Sequence, residues 1–446
     1  MSSPQETKAA SDTIPDTVEL LRELLRFDTT NPPGAERECV EHVRNLLSAA
    51  GVESELYARI PERPNLIARL TGSNGGSPLL LYGHVDVVPT AGQEWTHPPF
   101  SADIVDGEVW GRGALDMKAG VAMMITAFLR ARSDGAVPTG GLMLAILSDE
   151  EAGGDYGAKF LAQEHPGTLE GVRHALGEVG GVSIYIAGRR FYPIQVAEKR
   201  MCHIKATVRG PGGHAARPMR GGAMARLGTM LRALDRKRTP LHVTPVARAT
   251  IEAIADALPN AKAAVLRALL KQRTHAAALR LIGEQGRPLE GLLRNTVNAT
   301  IVRCGHAVNV IPSEIVVELD GRLLPGFVPD DLLAELRDII GNDIELEVVR
   351  HDEGPAGADM TFFEALAGVL RELDPDGVPI PMLLPAVTDA RHLSPLGIQT
   401  YGFMPLRLPE DFPLATLAHA ADERVPVDAV GFGAEAIFRA IQRYPG

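Results

Sequence analysis

Leu80-Leu81-Tyr82-Gly83-His84-Val85-Asp86-Val87-Val88-Pro89 is an apolar run that ends by presenting a histidine and an aspartate two residues apart. This is the pattern of a buried strand with a polar tip. In a strand, side chains at i and i+2 project to the same face, so His84 and Asp86 are expected to point together into a cavity at the strand's end. One use of such a pair is a metal-bound imidazole whose second ring nitrogen is held by the carboxylate. A partly buried histidine salt-bridged near a turn would give the same pattern.

Working outward, elements alternate on both sides of this strand. Asp16 can cap a helix with Leu20, Leu21, Leu24 and Leu25 on one stripe, stopped by Asn31-Pro32-Pro33-Gly34. A second helix near Glu36 to Ala50 ends at Gly51. Strands are expected at Asn65 to Leu70, Leu79 to Tyr82, Gly107 to Trp110 and Leu142 to Leu147, with helices at Met117 to Arg130 and Tyr156 to Gln163. Such alternation predicts an α/β class, a mixed sheet covered by helices on both faces, with ligands at the carboxyl ends of its strands. From Lys199 the texture changes. Strands at Cys202 to Arg209, Thr296 to Arg303, Glu314 to Leu323 and Ile344 to Val349, with helices at Ala223 to Leu234 and Asp330 to Ile340, read β-α-β-β-α-β. That is a smaller α+β, split βαβ or ferredoxin-like domain interrupting the larger one. A helical stretch from Ala253 to Leu281 is additional to it. The expected division is a flexible tail over residues 1–14, a first catalytic part over 15–198, an inserted lid or dimerisation domain over 199–353, and a second catalytic part over 354–446.

Composition narrows the function. The 446 residues are 45% hydrophobic and 23% charged, as in an ordinary globular protein. A net charge of -11 argues against a nucleic-acid partner and leaves carboxylates to spare for cations. No apolar signal segment opens the chain, and its longest uncharged apolar stretch, Ala119 to Leu129, is too short to span a bilayer. Cys39, Cys202 and Cys304 have no metal or redox spacing and fit free thiols in a reducing, cytoplasmic compartment.

Several segments carry candidate chemistry. Gly111-Arg112-Gly113-Ala114-Leu115-Asp116-Met117-Lys118 places Asp116 in a glycine-lined loop before a helix, where an N-cap role competes with a ligand role. It lacks the third glycine of a dinucleotide fingerprint. Asp149-Glu150-Glu151 stands at the end of an apolar strand, where neighbouring like charges require full solvation or a cation. Glu178 follows Ala175-Leu176-Gly177, and His419 sits in His419-Ala420-Ala421-Asp422-Glu423. His84, Asp116, Glu151, Glu178 and His419 together offer the mixed nitrogen and oxygen donors of a two-metal hydrolytic site, with one carboxylate as bridge.

With these motifs, G-H-x-D-V-V-P, G-R-G-x-x-D-M-K, D-E-E, the later glutamate, Gly210-Pro211-Gly212-Gly213-His214 and H-x-x-D-E, the chain from about Val18 onward resembles the cocatalytic zinc hydrolases. That family includes acetylornithine deacetylase, succinyl-diaminopimelate desuccinylase, aminoacylase and carboxypeptidase G. The resemblance implies two Zn2+ per chain, with Co2+ or Mn2+ as alternatives. His84 and Glu178 would bind one ion, Glu151 and His419 the other, and Asp116 both. Asp86 would orient His84, and Glu150 would act as general base towards a metal-bridging hydroxide. His214 would contact the oxyanion or substrate, often from a partner subunit, and Asn309 and Arg322 would hold a substrate carboxylate. Arg391 is a similar candidate from the main domain; each arginine would equally suit a structural ion pair.

The implied reaction is hydrolysis of an amide bond in an N-acyl amino acid or small peptide with a free carboxylate. Deacylase and dipeptidase or carboxypeptidase activities share this machinery, and a non-catalytic small-molecule or metal-binding protein on the same fold is the alternative from another class. The expected partners are a small carboxylate-bearing substrate and a second copy through the inserted domain, with no nucleic acid or membrane. Two positions depart from the family pattern: Val179 after Glu178, and Arg200-Met201 after Lys199, each where glycine is usual. The long 253–281 stretch puts the dimer, and with it a partner-supplied His214, in question.

Overall fold

The computed structural model describes residues 14–446 apart from Asn74 and Ala356; the tail expected over 1–14 lies outside the described residues except for Ile14. The chain divides into two units, one running to Val196 and resuming over Asp359–Met382 and Thr388–Gly446, the other comprising Ala197–Ala358 with Leu383–Val387. The inserted stretch is therefore slightly wider than 199–353. Leu383–Val387 joins it in part through the Lys199 amide, which donates to the Leu384 carbonyl at 2.9 Å.

In the first unit a mixed sheet runs in the order Ser54–Tyr57, Asn65–Leu70, Leu142–Leu147, Leu79–His84, His174–Gly177, Gln399–Gly402, Arg189–Glu198, Val378–Leu384. Its centre is parallel: Leu142–Leu147, Leu79–His84, His174–Gly177 and Gln399–Gly402 all run the same way. The central strands Leu79–His84, Leu142–Leu147 and His174–Gly177 are buried along their whole length, as a sheet covered on both faces requires. On one face Leu80, Tyr82, Met143, Ala145 and Leu147 pack with Phe160 and Leu161 of the Ala158–Glu164 helix. On the other, the Lys118–Ser133 helix lies against Leu79–His84 and is itself wrapped by Thr17–Leu25 and Val427–Gln442. Gly83 allows that approach, since a Cβ there would stand 2.7 Å from Met117 Cε. Asp16 caps its helix as expected, accepting from the amides of Val18 and Glu19 at 2.9 and 3.0 Å.

The second unit holds a four-stranded sheet ordered Thr296–Cys304, Glu314–Leu323, Arg200–Arg209, Glu345–His351, every pair antiparallel. In chain order this is 2-3-1-4, with Ala223–Arg236 and Pro329–Ile340 as its two helices, the ferredoxin-like arrangement. The helical stretch read over 253–281 resolves into Pro245–Asp256, Asn260–Leu269 and His275–Ile282. Pro259 stands at the N-cap of the second of these, where its extended ψ of 146° and its lack of an N–H interrupt continuous helix. No helix among the described residues is long and apolar enough to cross a membrane.

Candidate metal centre

Three parallel strands place three acidic or imidazole tips side by side. His84 closes its strand in register with Leu147, and the loops after Leu147 and Gly177 carry Glu150, Glu151 and Glu178. Asp116 comes from the loop before the Lys118–Ser133 helix, and His419 from the loop before Arg424–Pro426. The N-cap position of that helix is held by Met117 rather than Asp116. Asp116 Oδ1 stands 3.2 Å from His84 Nε2 and Asp116 Oδ2 3.1 Å from His419 Nε2. His84 Nε2 is also 3.5 Å from Glu178 Oε2, and His419 Nε2 is 3.2 Å from Glu151 Oε1. The donor atoms therefore fall into two groups, His84, Asp116 and Glu178, and Asp116, Glu151 and His419, each within 4.8 Å. Each group offers one imidazole and two carboxylates, with Asp116 common to both.

The residues fit divalent cations. Glu151 Oε1 is buried and makes no well-aligned hydrogen bond among the described residues, its close charge partner being His419 Nε2 at 3.2 Å, so a cation there would complete its surroundings. The titration of the metal-free cluster carries the same message. Burial opposes charge on His84, yet the carboxylates of Asp116, Asp86 and Glu178 outweigh it and hold the imidazole well above its ordinary pKa. Hydrogen bonds to Asp116 and Glu151 push His419 up to about 10. Burial also acts on Asp116, but the two histidines hold its carboxyl below the usual range. Two imidazolium charges thus stand where metal charge would, because carboxylates this close require cations of some kind.

Glu150 belongs to neither donor group. Burial and then the Glu178 charge raise its carboxyl well above the ordinary value, a shift in the direction that favours proton transfer by a general base. Asp86 sits beneath all of this. Its Oδ1 lies 3.4 Å from His84 Nδ1 and accepts from the Glu150 amide at 3.1 Å, while Oδ2 accepts from Asn31 Nδ2 at 2.8 Å and the Glu151 amide at 3.1 Å.

Several supporting residues escaped the sequence reading. Asn31 Nδ2 also donates to Asp149 Oδ1 at 3.0 Å, Asp149 pairs with Arg63 at 2.9 Å, and Arg63 with Glu36 at 2.6 Å, all of them buried. Asp149, Val179 and His419 adopt φ of 70°, 56° and 62°. The left-handed region is disfavoured for side chains, most of all β-branched ones, so Val179 holds strain at the position where the resemblance leads one to expect glycine. Asp389 is a further buried carboxyl, its Oδ1 without a partner among the described residues, pushed up to about 7 by burial and the Glu178 charge.

The remaining sequence candidates divide by unit. Arg391 belongs to the first and donates from Nε to His392 Nε2 at 3.0 Å. His214, Asn309 and Arg322 belong to the second. His214 is exposed, pairing Gly213–His214 with Val310–Ile311, and its Nδ1 accepts from the Ala216 amide at 3.1 Å. Arg322 has its fork on Asp320 at 2.7 and 2.9 Å, the ion-pair alternative, and exposed Asn309 accepts from the Ala215 amide at 3.0 Å through its carbonyl.

The profile of peptidase family M20/M25/M40 matches residues 80–443, a span that contains all five donor residues. The chain belongs to this family. It is 30% identical over 366 residues to a probable carboxypeptidase S-like protein of Dictyostelium discoideum, covering 78% of this chain and 68% of that one. It is 28% identical over 450 residues to the succinyl-diaminopimelate desuccinylase of Paracoccus denitrificans, covering 97% and 99%. Among solved structures, an M20 family metallo-carboxypeptidase from Sulfolobus solfataricus shares the fold, with a TM-score of 0.66 at 17% identity over 97% of this chain and 99% of that chain. Family members are metal-dependent hydrolases of the metallopeptidase and amidohydrolase kind, and the donor groups are those such an enzyme needs.

Proposed function

We propose that this chain hydrolyses an amide bond next to a free carboxylate, in an N-acyl amino acid or a small peptide, using two divalent cations. The observation that carries the reading is the pair of donor groups sharing Asp116, with Glu150 beside both and in neither. His84, Asp116 and Glu178 would hold one ion, and Asp116, Glu151 and His419 the other; zinc suits this donor set, with cobalt and manganese as alternatives. Bound there, the ions supply Lewis acidity to a water and to the amide carbonyl oxygen. Glu150 takes a proton from the attacking water and returns it to the departing nitrogen, a cycle its raised pKa supports. Asp86 holds the Nδ1 side of His84, leaving Nε2 free to face the site. His214 is assigned to the oxyanion, and Asn309, Arg322 and Arg391 to the substrate carboxylate, on the family resemblance and on the chemistry of their side chains.

A desuccinylase and a carboxypeptidase-like protein among the relatives support acyl amino acids and peptides alike. Free Cys39, Cys202 and Cys304 support a reducing, cytoplasmic location. Exposed Ile301 and Val302 on the edge strand Thr296–Cys304 support a homodimer through the second unit.

The test is metal content by mass spectrometry on protein purified without added metal, with a mixed panel of N-acyl amino acids and dipeptides assayed on the same sample. About two metals per chain and chelator-sensitive cleavage are expected, and the half of the panel consumed separates deacylase from dipeptidase. A chain that stays inactive after zinc, cobalt and manganese are supplied overturns the reading in favour of a binding protein.

A further inference from the structure

Two motif residues are not absorbed by the donor set: Arg112 of the G-R-G segment and Glu423 at the end of H-x-x-D-E. They are 1% and 0% exposed and pair through Arg112 Nη1 and Glu423 Oε2 at 2.6 Å. Their other side-chain bonds reach the chain beside a metal ligand directly or, in one case, through Gln93. Glu423 Oε1 accepts from the amides of Leu115 and Asp116 at 2.7 and 3.1 Å. Arg112 Nη1 donates to the Ala420 carbonyl at 3.1 Å, and Nη2 donates to Gln93 Oε1 at 2.7 Å. Gln93 Nε2 then donates to the His419 carbonyl at 2.9 Å. The orientation of the Gln93 amide is forced, because an arginine only donates and a carbonyl only accepts.

We infer that Arg112, Glu423 and Gln93 form a clamp of positioning residues that fixes Asp116 and His419 relative to one another, and so sets the affinity of the Asp116–Glu151–His419 position for its metal. The inference rests on the two-metal reading. His419 needs such a device: its side chain is 50% exposed, so packing does little to hold the ring, and its backbone is left-handed at φ 62°. Asp116 needs one too, since its two oxygens face different imidazoles and a rotation that serves one loses the other. The division of labour is specific. Gln93 touches only the His419 side, whereas Glu423 touches the Asp116 side, which serves both positions.

Stepwise zinc titration of the metal-free protein by calorimetry under a competing chelator tests this. Wild type should take two equivalents. Gln93→Leu should weaken one of the two equivalents by about 10–100-fold, the usual effect of removing a group that orients a ligand, with the other little changed and the metal-free unfolding temperature unmoved. Glu423→Gln, which keeps an acceptor but loses the ion pair, should weaken both equivalents. Unchanged binding in Gln93→Leu overturns the clamp, and so does equal weakening of both steps with a lowered metal-free unfolding temperature, which marks general structural damage. The Gln93 variant decides the matter even if Glu423→Gln does not fold, because Gln93 is only partly buried. A wild-type chain that takes no second equivalent overturns the two-metal reading itself, and the inference with it.

Discussion

Asp86→Asn changes one atom and almost no volume, yet the geometry makes it costly. Asp86 is fully buried: Oδ2 accepts from Asn31 Nδ2 and the Glu151 amide, and Oδ1 accepts from the Glu150 amide and lies 3.4 Å from His84 Nδ1, whose hydrogen bond goes to the Asp86 backbone carbonyl at 3.0 Å. An asparagine keeps one oxygen, so an NH2 group confronts either the Glu150 amide or both Asn31 Nδ2 and the Glu151 amide. Rotating Asn31 offers no escape, because its Nδ2 is also bonded to Asp149. Hydrogen bonds to a charged group are worth about 1.5–3 kcal/mol each, so the metal-free protein should lose at least roughly 1.5–3 kcal/mol, a sizeable part of ordinary domain stability. The Glu150 and Glu151 amides belong to the loop that carries Glu151, and His84 is a proposed ligand, so metal affinity should also fall by about 10–100-fold. Urea unfolding of the metal-free variant reads the first quantity, and chelator-competition titration the second. A variant within about 0.5 kcal/mol of wild type, the range of a surface substitution, with unaltered metal affinity, refutes the claim that Asp86 organises the site.

Glu150→Gln should keep both metals while kcat falls by about 10²–10⁴-fold; retained turnover refutes the base assignment. Because burial and Glu178 raise the Glu150 pKa, the folded metal-free chain binds a proton there that the unfolded chain has released above its ordinary 4.5. Its contribution to stability falls with rising pH, so Glu150→Gln should be the more stable metal-free protein at pH 7, as urea melts of both will read. In the second unit Lys199 is 1% exposed, donates to the Arg294 carbonyl and Thr296 Oγ1, and is pushed down to about 7 by burial and the Arg322 charge. Between that value and its unfolded 10.5 the unfolded chain binds the extra proton, so stability rises with pH. Wild type should gain on the order of 3 kcal/mol over Lys199→Met between about pH 7 and 9.5; parallel stability curves for the two refute it.

The parts of the fold that read clearly were those where one residue's environment repeats along the chain. Leu79–His84 and Leu142–Leu147 are continuous apolar runs with polar ends, and that alone places His84 and the 149–151 carboxylates at the same edge of a sheet. Strands containing proline were lost. Arg189–Glu198 carries Pro193, and Val378–Leu384 carries Pro379 and Pro381, which count against a strand in sequence. Val378–Leu384 tolerates them because it is the last strand of the sheet order. The support of the site was illegible for a different reason. Asn31 to Asp149 spans 118 residues and Arg112 to Glu423 spans 311; such pairs have no spacing to betray them. Asn31-Pro32-Pro33-Gly34 looked only like a helix stop, and nothing in the sequence singled out Arg63.

What these supports accomplish becomes visible when the metal-free state is considered as a folded state in its own right. Three carboxylates that converge on two points would drive the loops apart if nothing balanced them. Here His84 and His419 balance them by holding protons, with the Asp116 carboxylate drawn between the two rings. The scaffold of Asp86, Asn31, Asp149, Arg63 and Glu36 is built of bonds that do not involve the metal positions, so it survives whether protons or metals fill them. Imidazoles bind metal only in their neutral form, and loading the site therefore expels the protons that stabilised it empty. On the two-metal proposal acid would compete with metal at His84 and His419, and the acid limb of activity would follow metal occupancy, the exchange on which the proposed clamp on Asp116 and His419 acts.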